Sequence, residues 1–153
     1  MRVLERLGVG VAGVFTLIRD EADRVLLCHR RDLDLWNMPG GALEPAEAPW
    51  DGAAREVKEE VGFDVEIIRL VGLYWKEKAK EIVFQFEGAV VSGHPSTSEE
   101  ADDVRYFGLN ELPENLSPSQ RERIEQALAD HDHALLLTQG HRSSRDLLRD
   151  GEL

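Results

Sequence analysis

The chain has 153 residues, with 30 acidic side chains against 18 lysines and arginines and a formal net charge of −12. The length suits one domain with a full core. No run of about 18 apolar residues is present, so no spanning helix is expected, and an acidic chain without a basic stripe argues against duplex nucleic acid or an anionic membrane as partner. The only cysteine, Cys28, excludes an internal disulfide framework and a cysteine-rich zinc site. Glu5 and Arg6 interrupt the apolar N-terminus before any signal-peptide pattern develops, so a cytoplasmic location is expected.

In chain order, "GVGVAGVFTLI" (residues 8–18) reads as a buried strand, "DEAD" (20–23) as a turn, and "RVLLCHR" (24–30) as the second arm of a hairpin. "LWNMPGGALEPAE" (35–47) is a short strand entering a Gly/Pro-rich loop. Pro49 suits the first position of a helix. Ala53, Ala54, Val57 and Val61 then form an apolar stripe at helical spacing, and Gly62 is placed to end the helix. Ala48, where the N-cap falls, is a poor capping residue.

"DVEIIRLVGLYW" (64–75) reads as a strand bent at Gly72. A turn over 76–81 joins it to a strand over 81–91, whose Ile82, Phe84 and Phe86 alternate with Val83, Gln85 and Glu87, so that one face is expected to be more buried. A polar, acidic loop (93–103) precedes a short strand (104–109). Ser117, Pro118 and Gln120 mark the start of a helix over 117–131. The order βββαβββα predicts an α/β domain with a mixed sheet between helices. One domain over 1–133 and a loosely held tail over 134–153 are expected.

The stretch "REVKEEVG" (55–62) sets Glu56, Glu59 and Glu60 at helical spacings 0, 3 and 4, on one face. Like charges so placed repel by a few tenths of a kcal/mol per pair, estimated for an isolated helix. A divalent ion turns that repulsion into attraction, because Mg²⁺ takes carboxylates, water and phosphate oxygens as ligands. Gly40 and Gly41 let backbone approach such an ion and its phosphates closely.

Residues 41–63, "GALEPAEAPWDGAAREVKEEVGF", run as G, five residues, E, seven residues, R-E-U-x-E-E-x-G-U, with U bulky and apolar. This resembles the Nudix box of the Nudix (MutT-like) hydrolase family at every defined position. "WNMPGG" before the box and the elements around it are also similar, over about residues 8–130. The resemblance implies an α/β/α sandwich with a mixed central sheet, the Nudix fold. It implies a Mg²⁺- or Mn²⁺-dependent hydrolase that cleaves the pyrophosphate linkage of a nucleoside diphosphate derivative to a nucleoside monophosphate. Glu56, Glu59 and Glu60 would hold metal with the Gly41 carbonyl, while Glu47 and Arg55 would brace the loop. The general base is left open between Glu56 and an acid of the 93–103 loop, where Glu100 is preferred over Glu99, Asp102 and Asp103. A homodimer is a candidate assembly, since many relatives are dimers. The alternative is a nucleotide-sensing module on the same fold, although such modules tend to lose box carboxylates and here all are present.

Arg30 and Arg31 are candidates to meet substrate phosphates, and Trp36 and Tyr74 to stack on a base. The proline of ADP-ribose members, the tyrosine of dinucleoside polyphosphate members, and the NADH and coenzyme A motifs are absent. What remains is a nucleoside triphosphate, oxidised forms included, or a nucleoside diphosphate sugar or alcohol. "HDH" (131–133) and "HRSSR" (141–145) read as solvated segments.

Overall fold

The computed structural model describes residues 12–153, so the N-terminal reading and the first part of the strand expected from residue 8 lie outside it. Its elements are β1 (Gly13–Leu17), β2 (Val25–Arg30), β3 (Trp36–Asn37), β4 (Gly40–Ala42), α1 (Pro49–Val61), β5 (Phe63–Lys76), β6 (Glu81–Gly93), β7 (Ala101–Phe107), a 3₁₀ turn (Leu109–Glu111), α2 (Pro118–Leu128), β8 (Leu135–Gln139) and α3 (Ser144–Arg149).

The expected mixed sheet is present, in the order β4-β1-β6-β5-β8, with β1–β6 and β5–β8 parallel and the other pairs antiparallel. Beside it lies an unexpected second sheet, β3-β2-β7, all antiparallel. The hairpin expected from β1 and β2 is therefore reduced to its closed end, where Arg19 bridges Val25 and the Leu26 N–H donates to the Ile18 carbonyl at 2.8 Å. Beyond that point the strands part into different sheets. Both are apolar on two faces, so each is placed where it can be covered from both sides.

Alternation along β1 sorts residues to the two helices. Val14 packs with Ala53 of α1 and with Phe86, while Phe15 and Leu17 pack with Ile124 and Ala127 of α2. Leu26 and Cys28 of β2 join Val57 and Val61 of α1, whereas Val25 and Leu27 face the α2 side. The result is the α/β/α layering. Each fully buried aliphatic side chain contributes about 1.5–3 kcal/mol relative to exposure.

α1 begins at Pro49 behind Ala48, which makes no side-chain cap, and ends at Gly62 with φ of 84°. β5 shifts register between Leu70 and Gly72, at the expected bend. β7 starts at Ala101, so Asp102 and Asp103 belong to a strand and not to the acidic loop. At α2, the Ser117 hydroxyl accepts from the Gln120 N–H at 3.2 Å, as the capping pattern predicts.

A polar layer runs inside the molecule. On β6 one face is more buried, as expected, and it is the face of Val83, Gln85 and Glu87. Arg123 of α2, 1% exposed, donates from Nε to Gln85 Oε1 at 3.1 Å and from Nη1 to Gln139 Oε1 at 2.9 Å. Glu87 accepts from Arg19 Nε at 2.9 Å and from Arg69 Nε at 2.8 Å. Residues 134–153, expected as a loose tail, supply Gln139 to this layer. β8 extends the sheet beside β5, and α3 buries Leu147.

Candidate functional site

The carboxylates of the box sit at the end of α1 that carries its buried stripe. Ala53, Val57 and Val61 hold one side of the helix in the core. Glu56 and Glu60, one turn apart, lie next to that stripe and are only 8% and 6% exposed. Glu59 points outward and is exposed. The Ser98–Glu100 loop folds back over this face, because Arg31 at the end of β2 donates its N–H to the Glu100 carbonyl at 3.0 Å and its Nε to the Ser98 carbonyl at 2.7 Å. Carboxylate oxygens of Glu56, Glu60 and Glu100 thereby lie within 4.8 Å of one another.

Burial, followed by the hydrogen bond and charge of Glu56, pushes the Glu60 carboxyl up to about 9. Burial also raises Glu56, against the lowering influence of its hydrogen bond with Glu60 and of Arg55. The pair thus holds a proton in the metal-free state, because two buried carboxylates cannot both ionise cheaply. Glu60 forms no ion pair among the described residues, and its other partner is the Cys28 thiol at 3.5 Å. Burial, with Glu60 nearby, raises that thiol far above its ordinary range, so Cys28 is a neutral, buried group as expected.

The loop before α1 is fastened by Arg55. Its Nε and Nη2 donate to Glu47 at 2.7 and 3.0 Å, and its Nη1 reaches Glu56 at 3.2 Å and Glu59 at 3.1 Å. Two glycines make the packing possible. A Cβ on Gly41 would lie 2.8 Å from Glu56 Oε1, and one on Gly52 would lie 2.7 Å from Glu47 Oε1. Gly52 was not singled out by spacing. Its signal was a glycine inside an otherwise regular helix.

A cavity of about 490 Å³ opens beside the cluster, lined by Gly41, Glu60, Glu99 and Glu100 together with Arg30, Arg31 and Asp32. Both arginines expected near phosphates are therefore present. The two aromatics are not brought to the cavity. Trp36 is 8% exposed and packs edge-on against His29 and Phe107, with centroids 5.2 and 5.0 Å away. Tyr74 is fully buried and donates its hydroxyl to Gln126 at 2.7 Å. Neither has a free face for a base, because β3 and β5 turn these positions into the core. Phe15 and Asn37 line the cavity instead. Of the other loop acids, Asp102 is bound to His29 Nδ1 at 2.7 Å and Asp103 to Arg105 Nε at 2.9 Å. Asp102 and Asp103 are thus engaged elsewhere.

The donor set fits a hard divalent cation. It offers three carboxylates within reach of one another, one of them buried without a counter-charge, and Gly41 so near that a Cβ there would meet the Glu56 carboxylate. A helix of the described residues long and apolar enough to cross a membrane is absent.

A NUDIX domain model matches residues 10–127. A MutT-like protein of Streptomyces ambofaciens is 35% identical over 120 residues, which cover 78% of this chain and 76% of that protein. Among solved structures, an ADP-ribose pyrophosphatase from Streptococcus suis 89-1591 superposes with a TM-score of 0.71 at 25% identity, over 86% of this chain and 100% of that one. A MutT protein from Methanosarcina mazei Go1 gives 0.68 at 28% identity, over 76% and 91%. The box geometry and these matches agree that the chain belongs to the Nudix family, and it is a hydrolase acting on anhydride linkages of nucleotide derivatives.

Proposed function

We propose that the chain is a Mg²⁺- or Mn²⁺-dependent pyrophosphohydrolase whose substrate is a nucleoside triphosphate, oxidised forms included, or a nucleoside diphosphate sugar or alcohol. The observation that carries this reading is the convergence of Glu56, Glu60 and Glu100 beside the cavity. These three would hold the ion, with the Gly41 carbonyl and Glu59 as further candidates. When bound, the ion neutralises the diphosphate and acidifies a water. The chain's own groups supply the rest. Arg30 and Arg31 line the same cavity as the acids, where their guanidinium groups can take phosphate oxygens. Glu60 gives up its proton when a cation enters, and Glu56 or Glu100 receives the proton of the attacking water. Phe15 and Asn37 face the remainder of the substrate.

The net charge of −12 supports a small anionic substrate drawn in by local cations over any nucleic-acid partner. The single buried thiol supports a reducing, cytoplasmic setting, and a homodimer is inferred from the family resemblance. A panel of nucleoside triphosphates and nucleoside diphosphate derivatives with Mg²⁺ and Mn²⁺, repeated with Glu56→Gln and Glu60→Gln, tests the assignment. Turnover of at least one compound and its loss in both variants is expected. No turnover, or full rate in both variants, sinks the reading.

A further inference from the structure

His29 of β2 has a carboxylate on each ring nitrogen. Asp102 Oδ1 lies 2.7 Å from Nδ1, and Asp34 Oδ1 lies 2.9 Å from Nε2. An ionised carboxylate only accepts, and a neutral imidazole carries a single donor. Both bonds are therefore made at once only by the imidazolium. Partial burial works against that charge, but the hydrogen bonds and charges of Asp34 and Asp102 outweigh it and hold the ring above its ordinary 6.5. The ring is steadied from other directions as well. It packs edge-on against Trp36, and Asp34 accepts from Asn115 Nδ2 at 2.9 Å.

Asp102 is the residue that breaks the β2–β7 register. Asp103 stands opposite His29 and Ala101 opposite Arg30, so Asp102 has no partner across the ladder. Such a bulge changes which side of the sheet the chain presents. Ala101 is 1% exposed and packs with Cys28 and Val57 on the α1 side. Asp102 reaches His29, which lies against Trp36 on the other side. Immediately before the bulge comes a closed turn. The Ser98 N–H donates to the Ala101 carbonyl at 2.8 Å, and the Ser98 hydroxyl accepts from the N–H groups of Glu100 at 3.3 Å and Ala101 at 3.1 Å. Arg31 grips this turn at the Ser98 and Glu100 carbonyls, and neither bond reaches Asp102. Among the described residues, His29 is the hydrogen-bond partner of the Asp102 side chain.

We propose that His29 is a positioning residue for Glu100: by holding the Asp102 bulge, it sets the angle from which the Ser98–Ala101 turn brings the Glu100 carboxylate to Glu56 and Glu60. The cluster is assembled from two elements. α1 supplies two carboxylates at a fixed helical spacing, so the third arrives only as accurately as the start of β7 is aimed. A working site needs its groups within about 0.5 Å of the productive geometry. The second ring nitrogen, on Asp34, ties that aim to the loop after β2, which carries the cavity residues Arg31 and Asp32. One ring thus joins the arginine-bearing loop to the acid-bearing turn. This inference rests on the reading of Glu100 as a metal-holding group and adds a residue that does not line the cavity.

The test uses the full chain, with calorimetric binding of Mn²⁺ in the absence of substrate and amide hydrogen exchange in EDTA. His29→Leu keeps an apolar contact with Trp36 and removes both donors. It weakens Mn²⁺ binding by about tenfold, the low end for groups that orient metal ligands, and speeds exchange at the Ser98, Ala101 and Arg31 amides. Asp102→Ala does the same. His29→Gln keeps one N–H donor and recovers part of the loss, which filling space would not do. Asp34→Asn leaves the Asp102 bond in place and loses less than His29→Leu. Added to Glu100→Gln, His29→Leu costs no more than about a further twofold, because it acts through Glu100. Unchanged Mn²⁺ affinity in His29→Leu, or a loss that multiplies in full with that of Glu100→Gln, overturns the proposal. If Glu100→Gln itself binds Mn²⁺ like wild type, the metal-holding reading of Glu100 is what fails. The exchange rates then decide the positioning by themselves: faster exchange in His29→Leu and Asp102→Ala supports it, and rates equal to wild type overturn it.

Discussion

Both arms of the Arg55 guanidinium close on one carboxylate: Nε donates to Glu47 Oε2 at 2.7 Å and Nη2 to Oε1 at 3.0 Å. The third nitrogen, Nη1, is turned toward Glu56 and Glu59. One residue therefore ties the loop to the helix and sets the direction of a carboxylate in the cluster. Lysine keeps the charge but has no planar fork. Arg55→Lys is expected to lower metal affinity or rate by roughly 10–100-fold, the usual range for groups that orient metal ligands. Glu47→Gln should fall in the same range, and the double substitution should cost little more than either alone. Metal titrations of turnover measure this, and additive losses would show that the two residues act separately.

The three box glutamates are not equivalent in the folded chain. Glu56 and Glu60 are buried in the cluster with Glu100, while Glu59 is exposed and paired with Arg55. Glu60→Gln is expected to reduce metal-dependent turnover by more than the roughly 100-fold upper range of orienting residues. Glu59→Gln is expected to lose distinctly less. Steady-state rates at saturating Mg²⁺ decide the order, and a Glu59→Gln defect equal to that of Glu60→Gln would place Glu59 in the cluster.

The raised Glu60 carboxyl makes metal-free stability depend on pH in a definite direction. Its folded value, about 9, lies above the ordinary 4.5, so between these values the native state binds a proton that the unfolded chain does not. Stability from this group is full below about 4.5 and declines as pH rises toward about 9. Melting in EDTA across that range should show the decline, and Glu60→Gln should flatten it. Mg²⁺ should reverse the trend, since the ion needs the ionised form and its binding releases a proton. A metal-free protein that grows more stable from pH 6 to pH 9 would contradict this account.

What could be read in advance follows the range of the interactions. Arg55, Glu56 and Glu60 lie on one helix, where the 3.6-residue period sets their relative placement before any packing is known, and Gly41 and Glu47 lie within a few residues of its start. The arrival of Glu100 depends on β2 pairing with β7, which brings Arg31 beneath its carbonyl, and no local pattern encodes that register. The direction of Trp36 and Tyr74 depends on which face each strand presents once two sheets and two helices have closed. Alternation alone leaves that choice open. The choice of buried face on β6 has the same origin, for the side-chain oxygens of Gln85 and Glu87 are met by arginines 38 and 18 or more residues distant in sequence.

The pairing of Arg123 with Gln139 makes residues after 133 part of the domain's stability. Arg123 is wholly buried, and burial lowers its pKa to about 10, yet among the described residues it forms no ion pair. Its charge is instead spread over the amide oxygens of Gln85 and Gln139 and the rings of Phe15 and Tyr74, 5.1 and 5.8 Å away. Gln139→Ala removes one acceptor and leaves a buried N–H of a cation unmade, a loss of about 1–3 kcal/mol or more. Arg123→Met restores apolar contact but strands the two amide oxygens, so it is expected to destabilise by a similar amount. Combining Arg123→Met with Gln139→Ala removes the charge and one stranded partner together, and the total loss should fall below the sum of the single losses. Urea unfolding of the four proteins measures that coupling. Strict additivity would mean that β8 is held by its sheet pairing alone and that the buried guanidinium draws nothing from the end of the chain.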